Sequence, residues 1–241
     1  PQDAKTVKFG ILSTSDVTNS QGYTFSTTSG PPIETDLSII RNPNYSAWNG
    51  SLSTSWNDGN NWDGGLPSST RDCRVGAATN RAIVNINPVS CANAILYSNG
   101  EMDWNSSANV FRVYGGLEVQ SSYIFTNATN GIFGVYGASS QSLIMSTAFP
   151  GNLTINNTGA AGKNLVDVNA DSTINGNLTC TSGKLSIPSG KTLTVLGNIT
   201  IQTGCEIAIG AGGTLALGNN RTLTVNTGGT LSLPVSYTHL R

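Results

Sequence analysis

Apolar and polar positions alternate with period two along most of this chain, in short bursts. From Leu153 onward the unit is apolar, small, apolar, followed by a corner rich in Gly or Asn. It recurs at Leu153–Ile155, Leu178–Cys180, Leu185–Ile187, Leu193–Val195, Ile199–Ile201, Ile207–Ile209, Leu215–Leu217, Leu223–Val225 and Leu231–Leu233. In an extended backbone each triplet puts two apolar side chains on one face and a Thr, Ser or Ala on the other. A helix would need recurrence near 3.6 residues, which these segments lack. A β-sandwich would show longer strands at less uniform spacing.

A larger period sits above the triplets. Gly176-Asn177, Gly197-Asn198 and Gly218-Asn219 stand at 21-residue intervals, and each interval holds three short strands. The pattern predicts an all-β fold, a single-stranded parallel β-helix (β-solenoid) with about 21 residues per coil. The same grammar runs less regularly through Ala82–Ile86, Ala94–Tyr97, Val110–Val113, Leu117–Val119, Tyr123–Phe125, Ile132–Val135 and Ser142–Met145. Residues 73–235 are therefore read as the solenoid. Residues 1–46 form a separate N-terminal β segment, with strands expected at Val7–Leu12 and Leu37–Ile40. Residues 47–72 are a Trp-rich cap or connector. Ser236–Arg241 breaks the repeat and is read as a non-native tail; the chain also begins at Pro1 rather than Met, so we expect a piece of a longer protein.

Composition narrows the function classes. Only 10% of residues are charged and the net charge is −1, with Lys and Arg scattered. Nothing resembles a basic stripe that could neutralise a row of phosphates, so a nucleic-acid partner is not expected. The apolar runs are too short for membrane insertion. The single His, His239, stands near the chain end, which leaves Ser–His and Cys–His chemistry without a base. No metal site and no cofactor are expected. The numerous Asn-x-Thr sequons follow from Asn at corners and Thr on strands, and glycosylation is not inferred from them.

The segment from Trp48 through Trp56, Asn61-Trp62 and Gly65-Leu66-Pro67 to Asp72 resembles one found in large surface proteins of Bacteroidota, where a parallel β-solenoid follows it. One departure is Cys73-Arg74-Val75, where that family more often has an apolar–polar–apolar strand. The resemblance implies a secreted, adhesin-like chain at the bacterial cell surface, exported through type IX secretion. It gives architecture and location more than molecular function.

Three sets of residues remain as candidates. Trp48, Trp56 and Trp62 either plug the open end of the first coil or form a sugar-stacking platform; the plug is the favoured reading. Asn57, Asp58, Asn60, Asn61 and Asp63 offer oxygens suited to calcium, but lack the alternating spacing of a calcium loop, so Asx turns are favoured. Cys73 and Cys91 could form a disulfide in a secreted protein, or be two small buried side chains. Catalysis would have to come from carboxylates: Glu101 with Asp103, Glu118, Asp167 with Asp171, or Glu206. Solvated corner charges are the favoured account of each, so no catalytic residue is assigned. The expected function is structural or adhesive, with glycans or host and cell-surface components as partners. The competing readings are a carbohydrate-active β-helix enzyme, either a polysaccharide lyase or a hydrolase, and a carbohydrate-binding module.

Overall fold

A computed structural model describes residues 17–18, 24–25 and 45–234. The chain divides into two compact units, Pro1–Arg41 and Asn42–Arg241. In the first, Val17–Thr18 pairs antiparallel with Thr24–Phe25. The strands expected at Val7–Leu12 and Leu37–Ile40, and the expected tail Ser236–Arg241, lie outside the described residues.

The second unit is a parallel β-solenoid of about 7 turns with ~22-residue coil spacing. Each coil but one contributes one short strand to each of three walls. The first wall runs from Asp72–Val75 through Ala94–Leu96, Leu117–Val119, Gln141–Met145 and Leu165–Val168, then on to Cys205–Ile209 and Thr230–Ser232. The second holds Ala82–Ile83, Glu101–Asp103 and Ile124–Thr126, then Ser172–Ile174, Thr192–Val195 and Thr214–Leu217. Phe149 bridges to Ile174 where the second wall is interrupted. The third runs from Val89–Cys91 through Val110–Val113, Ile132–Gly137 and Asn152–Asn157 to Ile199–Ile201 and Leu223–Val225. Leu178–Ile187 serves two walls, turning the corner from third to first at Gly183. We number the coils from 1, starting at Asp72, to 7, starting at Cys205.

The core is a set of columns. On the third wall Phe111, Phe133, Leu153, Leu178, Ile199 and Leu223 stack in register, as do Val113, Val135, Ile155, Cys180, Ile201 and Val225. Cys73, Ala94, Leu117, Leu143 and Val168 do the same on the first wall. Each buried Val, Leu, Ile or Phe contributes roughly 1.5–3 kcal/mol relative to exposure. Trp104, Phe111, Phe125, Phe133 and Phe149 fill the lumen of the middle coils, with Phe133 and Phe149 centroids 4.2 Å apart.

The coil length is not the uniform 21 that the Gly-Asn pairs suggested. The advance is 19 residues from Val166 to Leu185 and 26 from Leu117 to Leu143. The walls hold register and the corners absorb the difference. Gly151, Gly176 and Gly197 form one corner column, with Gly176 N–H donating to Gly151 O at 3.0 Å and Gly197 N–H to Gly176 O at 3.1 Å. A Cβ on Gly176 would lie 2.4 Å from Gly151 O, so backbone crowding dictates glycine there. Asn152, Asn177 and Asn198 stand beside it, each Oδ1 accepting a backbone N–H one coil on, at 2.8, 2.8 and 3.1 Å. The pair Gly218-Asn219 does not join this column: the last N–H belongs to Thr222, because the final coil is longer.

Candidate functional site

The Trp-rich segment closes the start of the solenoid and is continuous with it. Tyr45–Trp48 pairs in parallel with Asp72–Val75, so parallel stacking begins one strand before residue 73. Ser55 bridges to Ile83, which carries Trp56 onto the second wall. A 3-10 turn at Gly59–Asn61, capped by the Asp58 side chain accepting from Asn60 N–H at 3.0 Å, then returns the chain as Trp62. Buried Asn61 holds the loop together. Its Oδ1 accepts from Leu52 and Ser53 N–H, and its Nδ2 donates to Ser53 Oγ and Ser55 O, all within 2.8–3.0 Å.

The three indoles pack on one another over coil 1. Trp62 meets Trp56 edge-on at 4.5 Å and Trp48 at 5.1 Å, and Trp56 meets Phe111 at 5.3 Å. Trp62 Nε1–H donates to Trp56 O and Trp48 Nε1–H to Asn80 O. Trp48, Trp56 and Trp62 are only 5%, 2% and 1% exposed. The sugar-stacking alternative is thereby corrected: a stacking platform needs an open ring face, and these faces cover the lumen. The oxygens considered for calcium are engaged locally, with Asp58 in its turn and Asp63 Oδ1 accepting from Asn49 Nδ2 at 3.0 Å.

The candidate carboxylates are dispersed, apart from one pair. Glu101 and Asp103 converge on Arg81, a residue the sequence did not single out. Asp103 Oδ2 accepts from Arg81 Nε at 3.0 Å and its Oδ1 from Asn105 N–H and Asn127 Nδ2–H, while Glu101 accepts from Thr126 Oγ1–H at 2.8 Å. Asp103 is buried. Tyr123 packs nearby; burial, then the charge of Glu101, push its phenol well above the ordinary value, and its hydroxyl has no hydrogen-bond partner. Glu118 accepts from Gln120 Nε2–H at 3.0 Å and Asp171 from Thr192 N–H at 2.8 Å. Asp167 lies in register with Ser142 and Ser186 on the first wall. Glu206 accepts from Ser232 Oγ–H at 2.7 Å and pairs with Lys184 at 3.2 Å. The Ser232 hydrogen bond holds its carboxyl below the usual range; burial opposes it, and the hydrogen bond and charge of Lys184 add smaller lowering effects.

Two disulfides, Cys73–Cys91 and Cys180–Cys205, lie inside the lumen with Cα separations of 5.6 and 5.8 Å. The second was not foreseen, because its partners stand on walls and coils that only the register reveals.

The outer surfaces carry order of another kind. On the third wall Thr154, Thr179, Thr200 and Thr224 form a column facing away from the core, one per coil. Two shallow grooves flank the walls. One of about 300 Å³ lies between Leu66-Pro67 and Pro88-Val89. The other, about 420 Å³, runs along the corner at Gly162, Gly183, Gly204 and Gly228, beside Lys184 and Glu206. Among the described residues no helix is long and apolar enough to cross a membrane. No family model matches the chain, and no curated protein or solved structure matches it either.

Proposed function

We propose that this chain is a structural or adhesive part of a large secreted bacterial cell-surface protein, acting without catalysis. The observation that carries the reading is the outer third wall. Thr154, Thr179, Thr200 and Thr224 repeat there in register beside the Asn152, Asn177 and Asn198 column. A rigid row of identical polar groups suits many weak contacts with a polar, repeating partner such as a glycan, where avidity replaces single-site affinity. Two buried disulfides support maturation in an oxidising compartment. The resemblance of the Trp-rich segment supports a bacterial surface location.

The competing reading is a carbohydrate-active β-helix enzyme. Glycoside hydrolysis needs two carboxylates flanking the scissile bond. Glu101 and Asp103 instead share one guanidinium, which favours a scaffold. A glycan array run beside a polysaccharide-cleavage assay decides between them. Binding that weakens when Thr179 and Thr200 are both replaced by Val, without cleavage, is the expected result. Reproducible cleavage abolished by Glu101→Gln or Asp103→Asn would sink the proposal.

A further inference from the structure

The third wall differs from the other two in charge. First-wall strands carry Asp72, Glu118, Asp167 and Glu206, and second-wall strands carry Glu101 and Asp103. Among the described residues the third-wall strands carry no carboxylate, and Arg112 is their one charged side chain; Lys184 lies past the Gly183 corner, on the first wall. Arg112 faces outward, between the buried Phe111 and Val113. Arg81 and Lys184 pair with carboxylates, whereas Arg112 makes no ion pair among the described residues.

Its neighbours hold the guanidinium in place. Arg112 stands in register with Gly134 one coil on, and Tyr136 lies two residues past Gly134 on the same face. The missing side chain at Gly134 makes room for the Tyr136 ring, since a Cβ there would collide with Tyr136 Cε2. The Arg112 Cζ sits 4.9 Å from the centroid of that ring, and Tyr114 packs beside Tyr136 with centroids 6.2 Å apart. A cation–π contact of this kind positions a guanidinium without neutralising it. The Nε of Arg112 is shut off from solvent without a partner, but its two terminal nitrogens are not. One coil further, Thr154 and Asn156 continue the columns of Gly134 and Tyr136, and Thr179 follows Thr154.

Resting on the adhesive reading, we propose that the outer third wall binds a carboxylate-bearing polysaccharide. Arg112 takes a carboxylate, and the threonine column takes hydroxyls of the sugars that follow. A guanidinium presents its N–H groups as a planar fork that matches a carboxylate better than an ammonium does. No carboxylate on the third-wall strands competes for it or repels an anionic chain. The half-buried rings of Tyr114 and Tyr136 offer apolar surface to the C–H face of a pyranose. Beyond Arg112 the wall repeats Thr once per coil, at a spacing of ~4.8 Å, which suits a repeating polymer better than an acidic peptide.

The test uses the whole 241-residue chain in calorimetric titrations with polygalacturonate and polymannuronate oligomers, their methyl esters, and polyglutamate. The esters keep the sugar and lose the charge, while polyglutamate keeps the charge and loses the sugar. A free-acid oligomer should bind, and its ester at least roughly tenfold more weakly, the worth of one charge-assisted contact. Arg112→Gln should remove that difference, with the melting temperature checked beside it. Arg112→Lys keeps the charge and the stem, so it serves if the Gln variant does not fold; it should bind several-fold more weakly than the parent. Equal affinity for acid and ester, unchanged binding in Arg112→Gln, full affinity in Arg112→Lys, or equal or tighter binding to polyglutamate would overturn the proposal. No binding to these oligomers overturns it too, while the glycan array decides the adhesive reading separately. Neutral glycans whose binding falls when Thr179 and Thr200 become Val, but not in Arg112→Gln, leave that reading standing without this one.

Discussion

Two single residues show how local chemistry controls this fold. Asn61 satisfies two backbone N–H groups, a backbone carbonyl and a serine hydroxyl from a position with no solvent exposure. Its replacement by Ala strands those groups in a dry loop, and each costs on the order of 1–3 kcal/mol. Asn61→Ala should therefore lower the unfolding free energy by about 2 kcal/mol or more, read by urea titration with tryptophan fluorescence as the probe. Tyr123 is the opposite case, since its buried hydroxyl has no partner. Tyr123→Phe removes an orphan without a cavity and should stabilise the protein by about 1 kcal/mol. The pH dependence follows from the raised phenol. The unfolded chain loses the tyrosine proton near pH ~10 while the folded chain keeps it, so stability is intact below that pH and declines above it. The Phe variant should lose that part of the alkaline decline, seen in melting temperature against pH.

At the scale of elements, the walls are strict and the corners are not. The corners at Gly176, Gly183, Gly213 and Gly229 are exceptions, because backbone meets backbone there. Gly176→Ala should cost several kcal/mol, or about 3 as a working figure, with calorimetry as the check. The corner at Ala160–Gly162 is open: a Cβ on Gly162 would meet nothing within 4 Å. Four residues inserted after Ala161 should leave the melting temperature within a few degrees of the parent, since loop closure grows only slowly with length.

This contrast explains what could be read from the sequence. The Leu-Thr-Ile triplets of coils 5–7 were legible because period two and small outward residues coincide. Glu101–Asp103 was not read as a wall strand, because two carboxylates around Met102 hide the alternation. Leu165–Val168 and Ser172–Ile174 were missed for want of a clean triplet. The pairing of Arg81 with Asp103 was invisible because the advance from Ala82 to Met102 is 20 residues, and no fixed period had been established upstream. The same uncertainty hid Cys180–Cys205. The Trp cap was legible as a plug because three indoles in a polar stretch need a surface to cover.

Across the described solenoid, the cost of truncating a core residue should follow how closely neighbouring coils pack on it. Leu117 is buried between Ala94 and Leu143, with coils on both sides. Among the described residues Leu223 stacks on Ile199 from one side and is only partly buried. Leu117→Ala should cost about 2–5 kcal/mol, and Leu223→Ala less than half of that, by denaturant unfolding of both variants. Equal costs would mean that the coil of Leu223 is as well packed as that of Leu117.

The unequal coil lengths carry a consequence for how such a chain changes over generations. A codon gained or lost within a wall would turn the rest of that strand inside out, so walls drift mainly by substitution. The same event at a corner such as 160–163 leaves all columns aligned. The molecule therefore keeps two kinds of inheritance in one sequence: a conservative text written on the walls, and margins at the corners where new segments can be written without disturbing it.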